Sequence, residues 1–180
     1  MILNQDNTLM IIIDIQEKLV NVAFNKNSLE QKAIKLVSAM KTLNIPTIIT
    51  EQYPKGLGET IKSIKDTGIE ALFFEKTDFN ALKDKILLQK LKEINKKQII
   101  LFGIETHICV HQTAAALVNL GYDVTIAKDA CGSRAESEYL SALDYMKTYG
   151  CKIKTTEMII FELLKTAKHP NFKEIQTLIK

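Results

Sequence analysis

Short apolar runs recur along this chain, each followed by a stretch of helical periodicity. That alternation restricts its fold more than any other feature. Leu9 to Ile13 contains no polar residue and reads as a strand buried on both faces, within a first strand of Thr8 to Ile15. Further strands are expected at Thr47 to Thr50, Glu70 to Glu75, Gln98 to Phe102, Asp123 to Ala127 and Lys152 to Thr155. Between them, Ile34, Val37, Met40 and Leu43 share one helical face, and Leu82, Ile86, Leu87, Leu91 and Ile94 form another stripe. Ser28-Leu29-Glu30-Gln31 and Ser133-Arg134-Ala135-Glu136 have capping-box spacing and are expected to open helices. Strand–helix alternation implies a parallel sheet covered on both faces, joined by right-handed crossovers: an α/β, three-layer α/β/α fold. At 180 residues the chain is long enough for one domain with a full core, residues 1–180.

In an open parallel sheet, ligands bind beyond the carboxyl ends of the strands. Three strands here lead into residues that carry chemistry. Asp14 follows Leu9 to Ile13, and Lys76 follows the run ending at Glu75. Cys109 lies six residues after Gly103 and just before a helix-like stretch, His111 to Leu120. A thiol at a helix N-terminus feels the positive end of the dipole, so its pKa is expected to fall. The unpaired N–H groups there can hold an oxyanion. Alone, Cys109 reads as a small buried hydrophobe and Lys76 as a solvated strand end. Together, the three residues form a nucleophile, a base and a cation at one edge of a sheet. If strand three lies two places from strand one, it is about 10 Å away at ~4.8 Å per strand. Lys76 must therefore be carried back by its loop or reach with its long stem.

Composition narrows the function classes. The net charge is +3, and the lysines are scattered, with only Lys96-Lys97 adjacent in the Lys83 to Lys97 stretch. No nucleic-acid footprint is expected from that pattern. No run approaches the ~18 apolar residues of a membrane span. The opening residues MILNQDN lack the basic and apolar regions of a signal peptide. Three cysteines at wide spacing do not suggest a disulfide framework. A cytoplasmic location follows as the expectation. Cys131 and Cys151 are read as structural.

The residues IIIDIQ (Asp14, Gln16), FEKTDFNA (Lys76), GIETHICVHQTAAALVNLGY (Cys109) and AKDACGSR resemble the isochorismatase-like cysteine hydrolase superfamily. TEQYPKGLG, residues 50 to 58, resembles its isochorismatase domain-containing subgroup. The resemblance runs through nearly the whole chain in the right order. It implies a doubly wound six-stranded parallel sheet in the order 3-2-1-4-5-6. It also implies a catalytic Asp14, Lys76 and Cys109, acting on an amide-type carbonyl through a thioester. An oxyanion hole would come from the backbone N–H groups of Glu105 and Cys109, with a cis peptide at Ile104–Glu105. A vinyl-ether hydrolase and a catalytically idle binding protein of the same fold are the alternatives. Nicotinamidases of this superfamily hold a metal after strand two. Here Glu51, Gln52 and Tyr53 stand there without histidine, so neither metal nor other cofactor is expected.

His107 and His111 are four apart, a spacing known from zinc sites, but the intervening acid of such motifs is missing. A polar rim or a histidine bonded to backbone is the expected role. Phe24, Tyr53, Leu57 and Phe79 fall on loops that should rim the site, and Gln16 and Gln112 are candidate polar contacts to a small-molecule substrate. Met158, Ile159, Ile160, Phe161, Leu163 and Leu164 are too continuous for one buried stripe. A homo-oligomer is expected from that run, unless the segment Phe172 to Ile179 folds back over it.

Overall fold

The computed structural model describes residues 2–179. Its strands are β1 (Thr8–Ile13), β2 (Thr47–Gln52), β3 (Leu72–Lys76), β4 (Gln98–Gly103), β5 (Asp123–Ala127) and β6 (Lys152–Lys154). They form one sheet in the order β3-β2-β1-β4-β5-β6. Every pairing is parallel. The helices are α1 (Glu17–Asn21), α2 (Lys26–Thr42), α3 (Pro54–Leu57), α4 (Lys62–Lys65), α5 (Lys85–Ile94), α6 (His111–Asn119), α7 (Glu136–Thr148), α8 (Thr156–Leu164) and α9 (Phe172–Ile179). β1 and β4 are buried at every position, so helices cover both faces of the sheet's centre. Full burial of an Ile or Leu side chain contributes about 1.5–3 kcal/mol. The unbroken apolar runs of these strands are what fix them in the middle.

The register sets the site. Ile13 pairs with both Thr50 and Gly103, so β1, β2 and β4 run level where β1 ends. The switch point of the strand order falls between β1 and β4. One strand further out, Lys76 pairs with Gln52 as the last residue of β3. The edge strand β3 is otherwise largely exposed, with Leu72 and Phe73 open to solvent.

Several local expectations are corrected. Neither capping box is used. α2 begins at Lys26, before Ser28, and its N-cap position is Asn25. α7 begins at Glu136 while Ser133 is buried and bonded to His107. Glu136 and Glu138 place negative charge in α7's first turn, the favourable end of the dipole. On the α-helices, side-chain caps form at Asp84, accepting from the N–H groups of Ile86 and Leu87, and at Thr155, accepting from Met158. Ile86 is 71% exposed and leaves the apolar stripe of α5, whose buried residues are Leu87 and Leu91. On α8, Ile159, Ile160, Leu163 and Leu164 are buried, and Phe161 meets Phe172 of the following segment with ring centroids 6.4 Å apart. The last helix thus covers part of the apolar excess, leaving Met158 and Phe161 partly exposed. Among the described residues no helix is long and apolar enough to cross a membrane.

Candidate active site

Asp14 leaves β1 in the left-handed region, at φ 51°, a conformation that aspartate tolerates better than most residues. The carboxylate is fully buried and held at both oxygens. Oδ1 accepts from the Thr50 hydroxyl at 2.7 Å, and Oδ2 accepts from Lys76 Nζ at 2.6 Å. Lys76 reaches it across β2 with its own stem, not through its loop. The pair is nearly removed from water, at 2% side-chain exposure for the lysine and 0% for the acid. Lys76 Nζ also donates to Gln52 Oε1 at 2.7 Å.

The cysteine comes from the opposite side of the switch point. Gly103, at φ +137°, ends β4 where a Cβ would lie 1.9 Å from the Ile13 carbonyl oxygen, so only glycine fits. The Ile104–Glu105 peptide that follows is cis. Thr106–Val110 then forms a π-type turn running directly into α6, and Cys109 sits in that turn. The loop after β5 locks the turn in place. Thr106 donates to the Gly132 carbonyl through both its N–H and its hydroxyl, at 2.9 and 2.8 Å. Gly132 N–H in turn donates to the Gly103 carbonyl.

Asp14, Lys76 and Cys109 therefore converge, with the thiol in hydrogen-bonding reach of both partners. The expected low thiol pKa is overturned. Burial, reinforced by the Asp14 carboxylate, pushes the Cys109 thiol up to about 12, against the opposing pull of Lys76. Desolvation outweighs the helix end because the cysteine is only 6% exposed. The resting thiol carries its proton beside the Asp14 carboxylate.

Glu105 is buried, and its carboxylate accepts from the backbone N–H of Arg134 at 3.2 Å and from Arg134 Nε at 2.9 Å. The two histidines do not act as a pair. His107 Nδ1 meets Ser133 Oγ at 3.0 Å, and His111 Nδ1 meets the Tyr149 hydroxyl at 2.9 Å. Burial holds the His111 imidazole below its usual range. Among the described residues, no group of three or more His, Cys, Asp or Glu is arranged around a metal position.

The candidate rim residues divide. Tyr53 and Lys76 line a cleft of about 630 Å³ with Lys55, Glu75, Lys83 and Ile86, on the β3 side of the site. Leu57 is half-buried, Phe79 is exposed, and Phe24 packs its ring on Tyr139 at 5.5 Å. These three and Cys109 lie outside that cleft's lining. Gln112 is exposed on α6. Gln16 is fully buried, and both ends of its amide are engaged: Nε2 donates to the carbonyls of Gln52 and Gly58, and Oε1 accepts from Gln52 N–H. It holds backbone, and has no polar atom turned towards a substrate. Sequence reasoning missed Thr50 and Gln52. Their signal is positional: each is the strand partner of a residue at or beside a candidate site position, Thr50 of Ile13 and Gln52 of Lys76.

Comparison with known proteins matches residues 8–158 to the isochorismatase domain. Isochorismatase domain-containing protein 2 of Danio rerio is 36% identical over 98% of this chain and 89% of its own. A solved structure of MAR1 ribonuclease from Caenorhabditis elegans superposes with a TM-score of 0.94. It is 35% identical and covers 99% of this chain and 92% of that one. The YcaC gene product of Escherichia coli, described as an octameric hydrolase of unknown specificity, shares the fold. Its TM-score is 0.89 at 23% identity, over 98% of this chain and 95% of that one.

Proposed function

This chain belongs to the isochorismatase family, and on that premise we propose that it hydrolyses a small amide-type carbonyl compound with Cys109 as nucleophile. The observation that carries the reading is the buried contact of 2.6 Å between Lys76 Nζ and Asp14 Oδ2, with the Cys109 thiol beside it. An ion pair so deep in the protein costs several kcal/mol of desolvation per charge, and a packed apolar pair would serve stability as well. Its position next to a thiol gives it a chemical use.

Cys109 Sγ forms a bond to the carbonyl carbon while its proton passes to Asp14. Lys76 stays charged and offsets the negative charge that moves through the site. The backbone N–H groups of Glu105 and Cys109 serve as donors to the tetrahedral oxygen. The C–N bond then breaks, and the proton returns from Asp14 to the leaving nitrogen. Water attacks the thioester, giving its proton to Asp14, and the acid departs with the thiol restored. Because the resting thiol is protonated, proton transfer to Asp14 accompanies the attack and does not precede it.

A homo-oligomer is part of the same proposal. The octameric description of the E. coli neighbour supports it, as do Leu72, Phe73, Met158 and Phe161, which lie partly exposed on the surface of this chain. A second reading, cleavage of RNA, is favoured by the name of the C. elegans neighbour. The site fits the first reading better, since Cys109 is 6% exposed and Lys55, Lys83 and Lys85 around the neighbouring cleft are interleaved with Glu75, Asp78 and Asp84. One experiment separates them. Ammonia release is followed over a panel of amides, ureido acids and nicotinamide, alongside a labelled RNA, with wild type and Cys109→Ala. Amide turnover lost in Cys109→Ala supports the proposal. RNA cleavage without amide turnover contradicts it.

A further inference from the structure

Gln52 forms contacts that neither the fold nor the proposed chemistry has so far required. Its side-chain amide is fixed in orientation: Nε2 donates to the Thr77 carbonyl at 2.8 Å, and Oε1 accepts from Lys76 Nζ at 2.7 Å. An ammonium has no acceptor to offer, so the amide cannot be turned round. Its backbone is fixed as well. β1 stops at Ile13, so at the level of Gln52 there is no strand beside β2 on that side. The side-chain amide of Gln16 takes the strand's place. It accepts from Gln52 N–H at 2.7 Å and donates to the Gln52 carbonyl at 3.0 Å, as a neighbouring peptide would. A second bond, from Gln16 Nε2 to the Gly58 carbonyl at 2.6 Å, ties this clamp to the loop after β2.

The Lys76 ammonium has three hydrogens. Asp14 Oδ2 takes one at 2.6 Å, Gln52 Oε1 takes one at 2.7 Å, and the third is within reach of the Cys109 sulfur. We propose that Gln52 is a positioning residue, held by Gln16, that fixes the Lys76 ammonium against Asp14 and Cys109 through a neutral acceptor. Neutrality is the point. A carboxylate at position 52 would surround one cation with two anions and cancel the field that Lys76 exerts on the thiol. An apolar side chain there would leave a buried N–H without a partner. The other nearby carboxylate, Glu51, is occupied by Thr60, accepting from its N–H at 2.7 Å and its hydroxyl at 2.6 Å. The inference rests on Cys109 as the nucleophile.

The test is the rate of iodoacetamide labelling of the intact chain, mapped by peptide mass spectrometry between pH 7 and 9. Wild type, Gln52→Glu and Gln52→Met are compared, and Cys109 labelling is divided by that of Cys151 in the same molecule. General loosening raises both rates, whereas an effect through Lys76 moves Cys109 alone. In Gln52→Glu the ratio is expected to fall about tenfold or more at every pH, one unit of thiol pKa being tenfold in thiolate. In Gln52→Met it should fall by a smaller factor. Either variant decides alone if the other does not fold. An unchanged ratio in a folded variant overturns the role of Gln52 and leaves Cys109 as the nucleophile. A wild-type ratio near one overturns the nucleophile assignment, and this inference with it.

Discussion

Cys109 and Cys151 are equally exposed, at 6% each, and burial pushes both thiols up to about 12. By those measures they are the same residue. They differ in what surrounds them. Cys151 lies between α7 and β6, its N–H bonded to the Met146 carbonyl, and burial alone accounts for its shift. Cys109 lies at the switch point, where the Asp14 carboxylate adds to the rise and Lys76 opposes it. On the proposed mechanism, reactivity would come from the strand ends that meet the thiol, and not from the thiol's depth.

The largest expected contrast is in turnover. Cys109→Ala should abolish hydrolysis of whichever amide the screen identifies, while Cys151→Ala should retain it within a few-fold of wild type. Steady-state rates on the purified variants check this.

The next is in stability. Lys76→Met leaves Asp14 buried without its cation, a change expected to cost about 3–5 kcal/mol. Adding Asp14→Asn should restore much of that loss while leaving the enzyme inactive. Urea unfolding of the two variants measures both, and a wild-type midpoint for Lys76→Met would mean that the pair is not buried as described.

A smaller effect follows from the thiols themselves. Cys109, Cys131 and Cys151 are all raised from 9.0 to about 12 in the folded chain. Below the unfolded pKa, both states carry the proton and pH has no effect through these groups. As pH rises above about 9, only the unfolded chain loses protons. Stability should then fall by about 1.4 kcal/mol per pH unit per thiol, until the folded pKa is reached. Thermal melts from pH 8 to 10.5 should show a shallower fall for Cys151→Ala than for wild type. The smallest effect is expected on the edge strand, where Phe73 is 50% exposed. Phe73→Ala should stay within about 0.5 kcal/mol of wild type in the monomer, as surface changes do.

The sheet was legible because its central strands are unbroken apolar runs: Leu9 to Ile13 and Ile99 to Phe102 could hardly be placed elsewhere. Asp14 and Lys76 were legible as charged residues at strand ends. Three things were not. The capping-box spacings at Ser28 and Ser133 are local patterns, and tertiary demands overrode them, most visibly where Ser133 is drawn to His107. The direction of the Cys109 shift was misread because a helix end shows in sequence, whereas desolvation depends on tertiary burial, which leaves the residue 6% exposed. Gln16 was read only as a candidate polar contact to substrate. Its actual partners, Gln52 and Gly58, are 36 and 42 residues away along the chain.

Selective chemistry at Cys109 is the centre of this account, and labelling of the native wild-type protein tests it most directly. Iodoacetamide at neutral pH, followed by peptide mapping, reads the three thiols side by side in one molecule. Selective chemistry there requires that Cys109 label many times faster than Cys151 and that the fully buried Cys131 not label. Labelling of Cys151 as fast as Cys109 would contradict it.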